Sequence, residues 1–143
     1  MTNITTLTNP NVKFVQTLYK AFTEGRFDDI LRNCTEDVRW DVVGDPADGP
    51  HYGVRTGKKG LREFFDIVTG NTKFSMFEPL EYMVDGDRVA VIGHSVGKAK
   101  ATGVEVPDRW IHVFDLKAGK LAQFREWDMS ARHAAAFRLA NAA

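Results

Sequence analysis

Trp110, His112, Phe114, Phe124, Glu126 and Asp128 carry most of the chemistry that this sequence offers. They lie within VPDRWIHVFDLKAGKLAQFREWDMS (106–130), which reads as two antiparallel strands around a tight turn at Lys117-Ala118-Gly119. Side chains alternate along a strand, so these six share one face. Arg109, Ile111, Val113, Leu121, Arg125 and Trp127 fall on the other. The first face mixes large aromatic surface with two carboxylates and an imidazole. A ligand pocket needs that mixture, whereas a dry core excludes it. Between Trp110 and Phe124, Asp128 is expected to have its pKa raised by desolvation, as an acid/base carboxylate requires. Alternatively, it caps a helix that begins at Ser130. His112 reads either as a core histidine with its hydrogen bonds met or, if it reaches Asp128 or Glu126, as a proton shuttle. An inward Glu126 needs a partner, and parity favours His112.

Further candidates lie upstream. Asp41, in RWDVVG, either acts as a base or faces solvent with Arg39 and Val43, leaving Trp40 to face inward as a pocket wall. His51 and Tyr52 sit on a long loop and could close over a ligand. His94 and His133 are not spaced with the other histidines for metal binding, and no two-His-carboxylate pattern is written in the sequence, so no metal is expected. No nucleophile elbow is present. Gly57, Gly60 and Lys58-Lys59 lack the spacing of a phosphate loop. No cofactor is expected.

The elements that must position these residues can be read in order. Asn9-Pro10 starts a helix carrying Val15, Leu18, Tyr19 and Phe22, which Gly25 stops. Residues 1–8 read as loose. A short helix from about Asp28 to Asn33 follows, with Cys34 as a small core residue. Val38–Val43 reads as a strand, GDPADGPHYGVRTG as a long loop, and Thr56 as the cap of a helix with Leu61, Phe64, Phe65 and Val68 on one face. From Lys73 the hydrophobic period becomes two, with a hairpin signal at Asp85-Gly86 and a strand over Arg88–Lys100. For the 106–130 hairpin, a two-residue type I′ turn would put Ala118 at positive φ. A three-residue loop avoids this and is expected, setting Leu116 opposite Lys120, His112 opposite Phe124 and Trp110 opposite Glu126. SARHAAAFRLAN (130–141) reads as a final helix. Helices followed by consecutive strands make an α+β domain, with helices on one face of a curved sheet.

The 143 residues suggest one domain, 1–143. Nineteen basic and 19 acidic residues give no net charge, which argues against nucleic acid or an anionic membrane surface as the partner. The single cysteine excludes an internal disulfide. MTNITTLTNP lacks the pattern of a signal peptide, so a soluble, cytoplasmic protein is expected.

TLYKAFTEGRFDDIL, TEDVRWDVVG, GVRTGKKGLREFF and HVFDLKAGKLAQFREW, in that order, resemble the phrases of the NTF2-like superfamily, in its SnoaL-like and ketosteroid isomerase-like branch. The resemblance covers nearly the whole chain. It implies a cone-shaped pocket between helices and a mainly antiparallel sheet, and commonly a homodimer formed through the sheet. Asp41 resembles the general base of the isomerases. Leu18 and Trp110 stand where those enzymes carry a tyrosine and an aspartic acid, and Tyr19 lies one residue away, about 100° round the helix. The resemblance therefore implies no oxyanion hole and argues against steroid isomerisation. Asp128 resembles the acid/base aspartate of the SnoaL-type cyclases. Asp108 and Arg109 are adjacent and point to opposite faces, which does not fit an Asp-Arg-Asp epoxide hydrolase.

The resulting expectation is a cofactor-independent isomerase, cyclase or dehydratase acting on a small hydrophobic or polyketide-like molecule. Asp128 or Asp41 would abstract a proton next to a carbonyl, His112 would assist, and Trp40, Tyr52, Trp110, Phe124 and Glu126 would hold the substrate. The alternative is a non-catalytic ligand-binding or dimerisation module.

Overall fold

The computed structural model describes residues 2–142, with side chains through residue 137 in the last helix. Three helices open the chain: α1 (Ile4–Leu7), α2 (Pro10–Thr23) and α3 (Phe27–Arg32). Residues 4–7, expected to be loose, form one helical turn capped by the Asn3 side chain. Asn9 caps α2 as its position suggests, accepting from the Asn11 and Val12 amides. Gly25, at φ 71°, turns the chain out of α2.

β1 (Cys34–Val42) begins four residues earlier than expected, so Cys34 enters the sheet rather than ending α3. The long loop holds a one-turn 3₁₀ helix, Pro46–Asp48, and then an edge strand, β2 (Gly53–Thr56), paired antiparallel to β1. α4 (Gly57–Asn71) buries Leu61, Phe64, Phe65 and Val68, the face that its spacing predicts. β3 (Thr72–Asp85), β4 (Arg88–Ala99), β5 (Glu105–Lys117) and β6 (Lys120–Trp127) follow, then α5 (Ser130–Ala142). The first hairpin turns at Gly86-Asp87, between the paired Asp85 and Arg88. The sheet order is β2-β1-β6-β5-β4-β3, with β1 and β6 parallel and every other neighbour antiparallel. The curved sheet does not close, and the helices cover one face of it. This is the α+β cone that the resemblance implies. No described helix is long and apolar enough to cross a membrane.

The β5–β6 hairpin corrects the expected register. Lys117 pairs with Lys120, leaving a two-residue turn in which Ala118 (φ 50°) and Gly119 (φ 77°) are both left-handed. This is the type I′ arrangement, whose twist matches that of the strands it joins. The continuous pairing of two long strands outweighs the strain at Ala118, which is of the order of 1 kcal/mol. A second irregularity follows: Leu116 pairs with Leu121 but Asp115 with Gln123, so Ala122 is an extra, bulged residue. Each feature shifts the register by one. Together they shift it by two and restore the alternation. His112 therefore faces Glu126, and Phe114 faces Phe124. Leu121, expected on the outer face, lies before the bulge and is fully buried. Ile111 and Trp127 form an exposed cross-strand pair on the outer face.

Candidate active site

The helices and the inner face of the sheet enclose a cavity of ≈ 100 Å³. Most of its wall is aromatic. Trp40 from β1 stacks on Phe124 from β6 at 3.8 Å between ring centroids, and Phe64 of α4 leans on the Trp40 ring. Trp110 stacks on His112 at 3.9 Å. Gly93, the cross-strand partner of Trp110, makes room for the indole: a Cβ there would lie 2.1 Å from the ring edge. The indole N–H groups of Trp40 and Trp110 are buried and find no hydrogen-bond partner among the described residues. Both residues line the cavity.

Two polar clusters interrupt this wall. In the first, His112 stands between Tyr19 and Glu126. The Tyr19 hydroxyl lies 2.7 Å from Nδ1, and a Glu126 carboxylate oxygen lies 2.6 Å from Nε2. Burial pushes the His112 pKa down to about 3, against the opposing pull of the Asp108 and Asp128 charges. The imidazole is therefore neutral and has one N–H and one lone pair. With Glu126 ionised, Nε2–H donates to it and Nδ1 accepts from Tyr19. With Glu126 protonated, the carboxyl donates to Nε2 and Nδ1–H donates to the tyrosine oxygen. Burial raises the Glu126 pKa, and the Asp128 charge reinforces it, while His51 and His133 oppose it. Burial likewise holds the Tyr19 hydroxyl well above its ordinary pKa, helped by Tyr82 and Glu126. Tyr19 faces the cavity on the stripe that its helical spacing with Val15, Leu18 and Phe22 predicts. Both Leu18 and Tyr19 reach the cavity because α2 lies across the sheet with a broad buried stripe rather than a single line of contacts.

The second cluster gathers His51, Asp108, Asp128 and His133 at the other side of Glu126, all lining the cavity. Tyr52 donates to Asp128 Oδ1 at 2.6 Å. His51 Nε2 and His133 Nε2 each lie 3.4 Å from Asp128 Oδ2. His133 Nε2–H also donates to Asp108 Oδ2 at 2.8 Å, while Asp108 Oδ1 accepts the Met129 amide at 2.9 Å. Burial alone would raise the Asp128 pKa. The His51 hydrogen bond, the His133 charge and the Tyr52 hydrogen bond outweigh it and hold this carboxyl below its ordinary value. The expected upward shift is thus reversed: the site desolvates Asp128 but supplies more compensation than burial removes. The mirror of this is His133, which burial would lower but the Asp108 hydrogen bond and the surrounding carboxylates raise.

The residues singled out in the sequence are therefore placed unequally. Trp40, Trp110, His112, Phe124, Glu126 and Asp128 line the cavity. Asp41 does not come to it. It points from the opposite face of β1, where its carboxylate lies 3.4 Å from Arg39 Nη1. Tyr52 is not a lid. It is 2 % exposed, stands behind Asp128, and packs its ring over Gly44, where a Cβ would lie 2.3 Å from it. Asp128 does not cap the last helix with a backbone bond; the Met129 amide beside that helix goes to Asp108. Asp108 and His133 were missed. Asp108 shares strand parity with Trp110 and His112, which the sequence displays. His133 carries no such signal, because only the packing of α5 against β5 brings it to residues far away in the chain.

Residues 15–124 match the SnoaL-like domain. No curated protein matches the sequence. Among solved structures, an NTF2-like protein of Burkholderia xenovorans superposes with a TM-score of 0.80 at 26% identity, over 88% of this chain and 94% of that one. An NTF2-like protein of unknown function from Burkholderia pseudomallei gives 0.82 at 21%, over 90% and 97%. TerC, crystallised with polyporic acid, gives 0.79 at 21%, over 91% and 99%. The last two likenesses show the fold, and the domain match shows the family. The chain belongs to the SnoaL-like branch of the NTF2-like superfamily.

Proposed function

We propose that the protein is a proton-transfer enzyme acting next to the carbonyl of a small apolar molecule, with Glu126 as the acid/base group. The observation that carries this reading is the Glu126 carboxylate on the wall of an aromatic cavity, bonded at 2.6 Å to a buried neutral imidazole. Glu126 takes the proton from the carbon next to the carbonyl, and the electron pair moves to the carbonyl oxygen. His112 and Tyr19 accommodate either protonation state of Glu126 by exchanging tautomers. The Trp40 and Trp110 rings wall the cavity and hold an apolar substrate against Glu126. Return of the proton to another carbon gives isomerisation; return of the proton to a β-hydroxyl, which leaves as water while the enolate electrons form the C=C bond, gives dehydration. Asp128 is engaged by Tyr52, His51 and His133, which argues for Glu126 as the base. A cavity of ≈ 100 Å³ is of the size class that accepts about one aromatic ring. The SnoaL-like family and the TerC crystal ligand favour a hydrophobic or polyketide-like carbonyl compound.

The test is deuterium exchange at the acidic carbon of single-ring ketones and 1,3-diketones, followed by NMR. Glu126→Gln is expected to slow exchange about 10²–10⁴-fold, the usual contribution of a general base. Exchange that survives this substitution would overturn the assignment. The second reading, a ligand-binding module, draws on the same aromatic wall. Binding of these compounds without exchange, in wild type and Glu126→Gln alike, would favour it.

A further inference from the structure

His51, Asp128 and His133 come from three separate segments: the loop before β2, the end of β6, and α5. Each offers one ligand atom, and these atoms all lie within 4.8 Å of one another. Both histidines turn the same ring nitrogen, Nε2, to the same oxygen, Asp128 Oδ2, each at 3.4 Å. That distance is long for an N–H···O bond, which centres near about 2.9 Å. It equals the edge of a tetrahedron around a cation with bonds of about 2.0–2.1 Å, for which the ligand–ligand distance is about 3.3–3.4 Å. Two of the three ligand–ligand separations thus match that edge, and the third lies within 4.8 Å.

The surroundings suit a metal. Tyr52 bonds Asp128 Oδ1 and so fixes the carboxylate with Oδ2 turned to the histidines. Outer groups of this kind orient metal ligands. The three side chains are sheltered, at 13%, 1% and 14% exposure for His51, Asp128 and His133. All three line the cavity, so a fourth coordination position would open onto the space where a substrate sits. Two imidazoles and one carboxylate are borderline donors. They select a zinc-like divalent cation over magnesium or calcium, which prefer all-oxygen shells.

We propose that His51, Asp128 and His133 form a binding site for one zinc-class divalent cation, open to the cavity. His133 Nε2 gives its hydrogen to Asp108 Oδ2 in the structure. Binding breaks this bond: the proton leaves to solvent, the imidazole turns its freed Nε2 lone pair from Asp108 to the cation, and Asp108 remains nearby as a second carboxylate. The sequence reading expected no metal because His94 and His133 are not spaced with the other histidines and no two-His-carboxylate pattern is written in the sequence. Tertiary structure supplies the proximity that spacing lacks. This site stands independently of the proton-transfer reading, since its test reads metal uptake rather than turnover.

The experiment uses the full chain, stripped with a chelator and dialysed, and titrated with Zn²⁺ alone by calorimetry and with Co²⁺ alone by visible absorption. One equivalent is expected to bind, with the intense visible bands of a four- or five-coordinate Co²⁺ centre. Zn²⁺ is expected to raise Tm in proportion to the logarithm of its concentration. His51→Gln and His133→Gln should each weaken uptake by at least 10-fold, with the Zn²⁺-induced rise in Tm read against each variant's own chelator-treated baseline. Tyr52→Phe, which frees the carboxylate without removing a ligand, should weaken it 10–100-fold. Absence of a stoichiometric Co²⁺ spectrum would overturn the proposal. So would uptake that is unchanged in both histidine variants, which would place the ion elsewhere on the chain.

Discussion

Replacing Tyr19 by Phe removes one hydroxyl from the centre of the fold and nothing else. The ring keeps its stacking on Trp110 and its edge contact with Phe114, because neither uses the oxygen. What it loses is the 2.7 Å bond to Nδ1 of His112, a residue 3 % exposed. Glu126 occupies the other ring nitrogen, so in either tautomer Tyr19→Phe leaves Nδ1 without a partner in an aromatic wall. An orphaned buried polar group costs about 1–3 kcal/mol, which for a chain of this length corresponds to a Tm drop of roughly 3–9 °C. The assay is urea denaturation near neutral pH, read as a shift of midpoint at constant slope. A double-mutant cycle with His112→Phe isolates the bond. In that background the hydroxyl has itself lost its partner, so removing it should cost little or even stabilise. The expected coupling is about 0.5–3 kcal/mol. Equal costs in both backgrounds, or a cost below about 0.5 kcal/mol in the wild type, would refute the claim that Tyr19 and His112 act as a buried pair.

Three further outcomes follow from the same geometry. His112 has a folded pKa of about 3, below the ordinary histidine value. The stability it lends by staying neutral is therefore complete above about pH 6.5 and is lost as the pH falls toward 3, by roughly 2–3 kcal/mol at pH 4.5; urea titrations of wild type and His112→Asn should converge by that amount on acidification, and parallel curves would contradict it. Ala118→Asn relieves the left-handed strain of the type I′ turn and should raise stability by up to about 1 kcal/mol, visible as a higher urea midpoint; a loss would mean the turn is not left-handed at both residues. Gly93→Ala drives a methyl into the Trp110 ring, and overpacking of this kind costs about 1–3 kcal/mol; near-UV circular dichroism should report the displaced indole, and an unchanged spectrum would contradict the contact.

The pocket face of the β5–β6 hairpin was legible although its register was not. Penalising Ala118 for a positive φ gave the wrong loop, and no local signal announced the bulge at Ala122. The two shifts compensate, so Trp110, His112, Phe124 and Glu126 kept their face while Leu121 changed sides. Local propensity predicted the turn badly because many cross-strand bonds decide it together. Asp41 was drawn toward the site by its likeness to a catalytic base, yet strand alternation with Trp40 already favoured the outer face on which it lies. Asp128 shows the limit more sharply. Burial was foreseeable from its aromatic neighbours, but the direction of its pKa depends on Tyr52, His51 and His133, which lie elsewhere in the sequence.

By itself the sequence determined what is local and periodic: the caps at Asn9 and Gly25, the buried face of α4, the alternation along β5, and the α+β class, though not α1 or the edge strand β2. These follow from backbone geometry and hydrophobic patterning, which act over a few residues. Tertiary structure alone decided which polar groups meet. The Tyr19–His112 bond spans 93 positions and the Tyr52–Asp128 bond 76, and α5 delivers His133 to a carboxylate cluster that no spacing foretells. Charge and hydrogen bonding act through space in a low-dielectric interior, so their outcome is set by packing, and the site's chemistry is set with it.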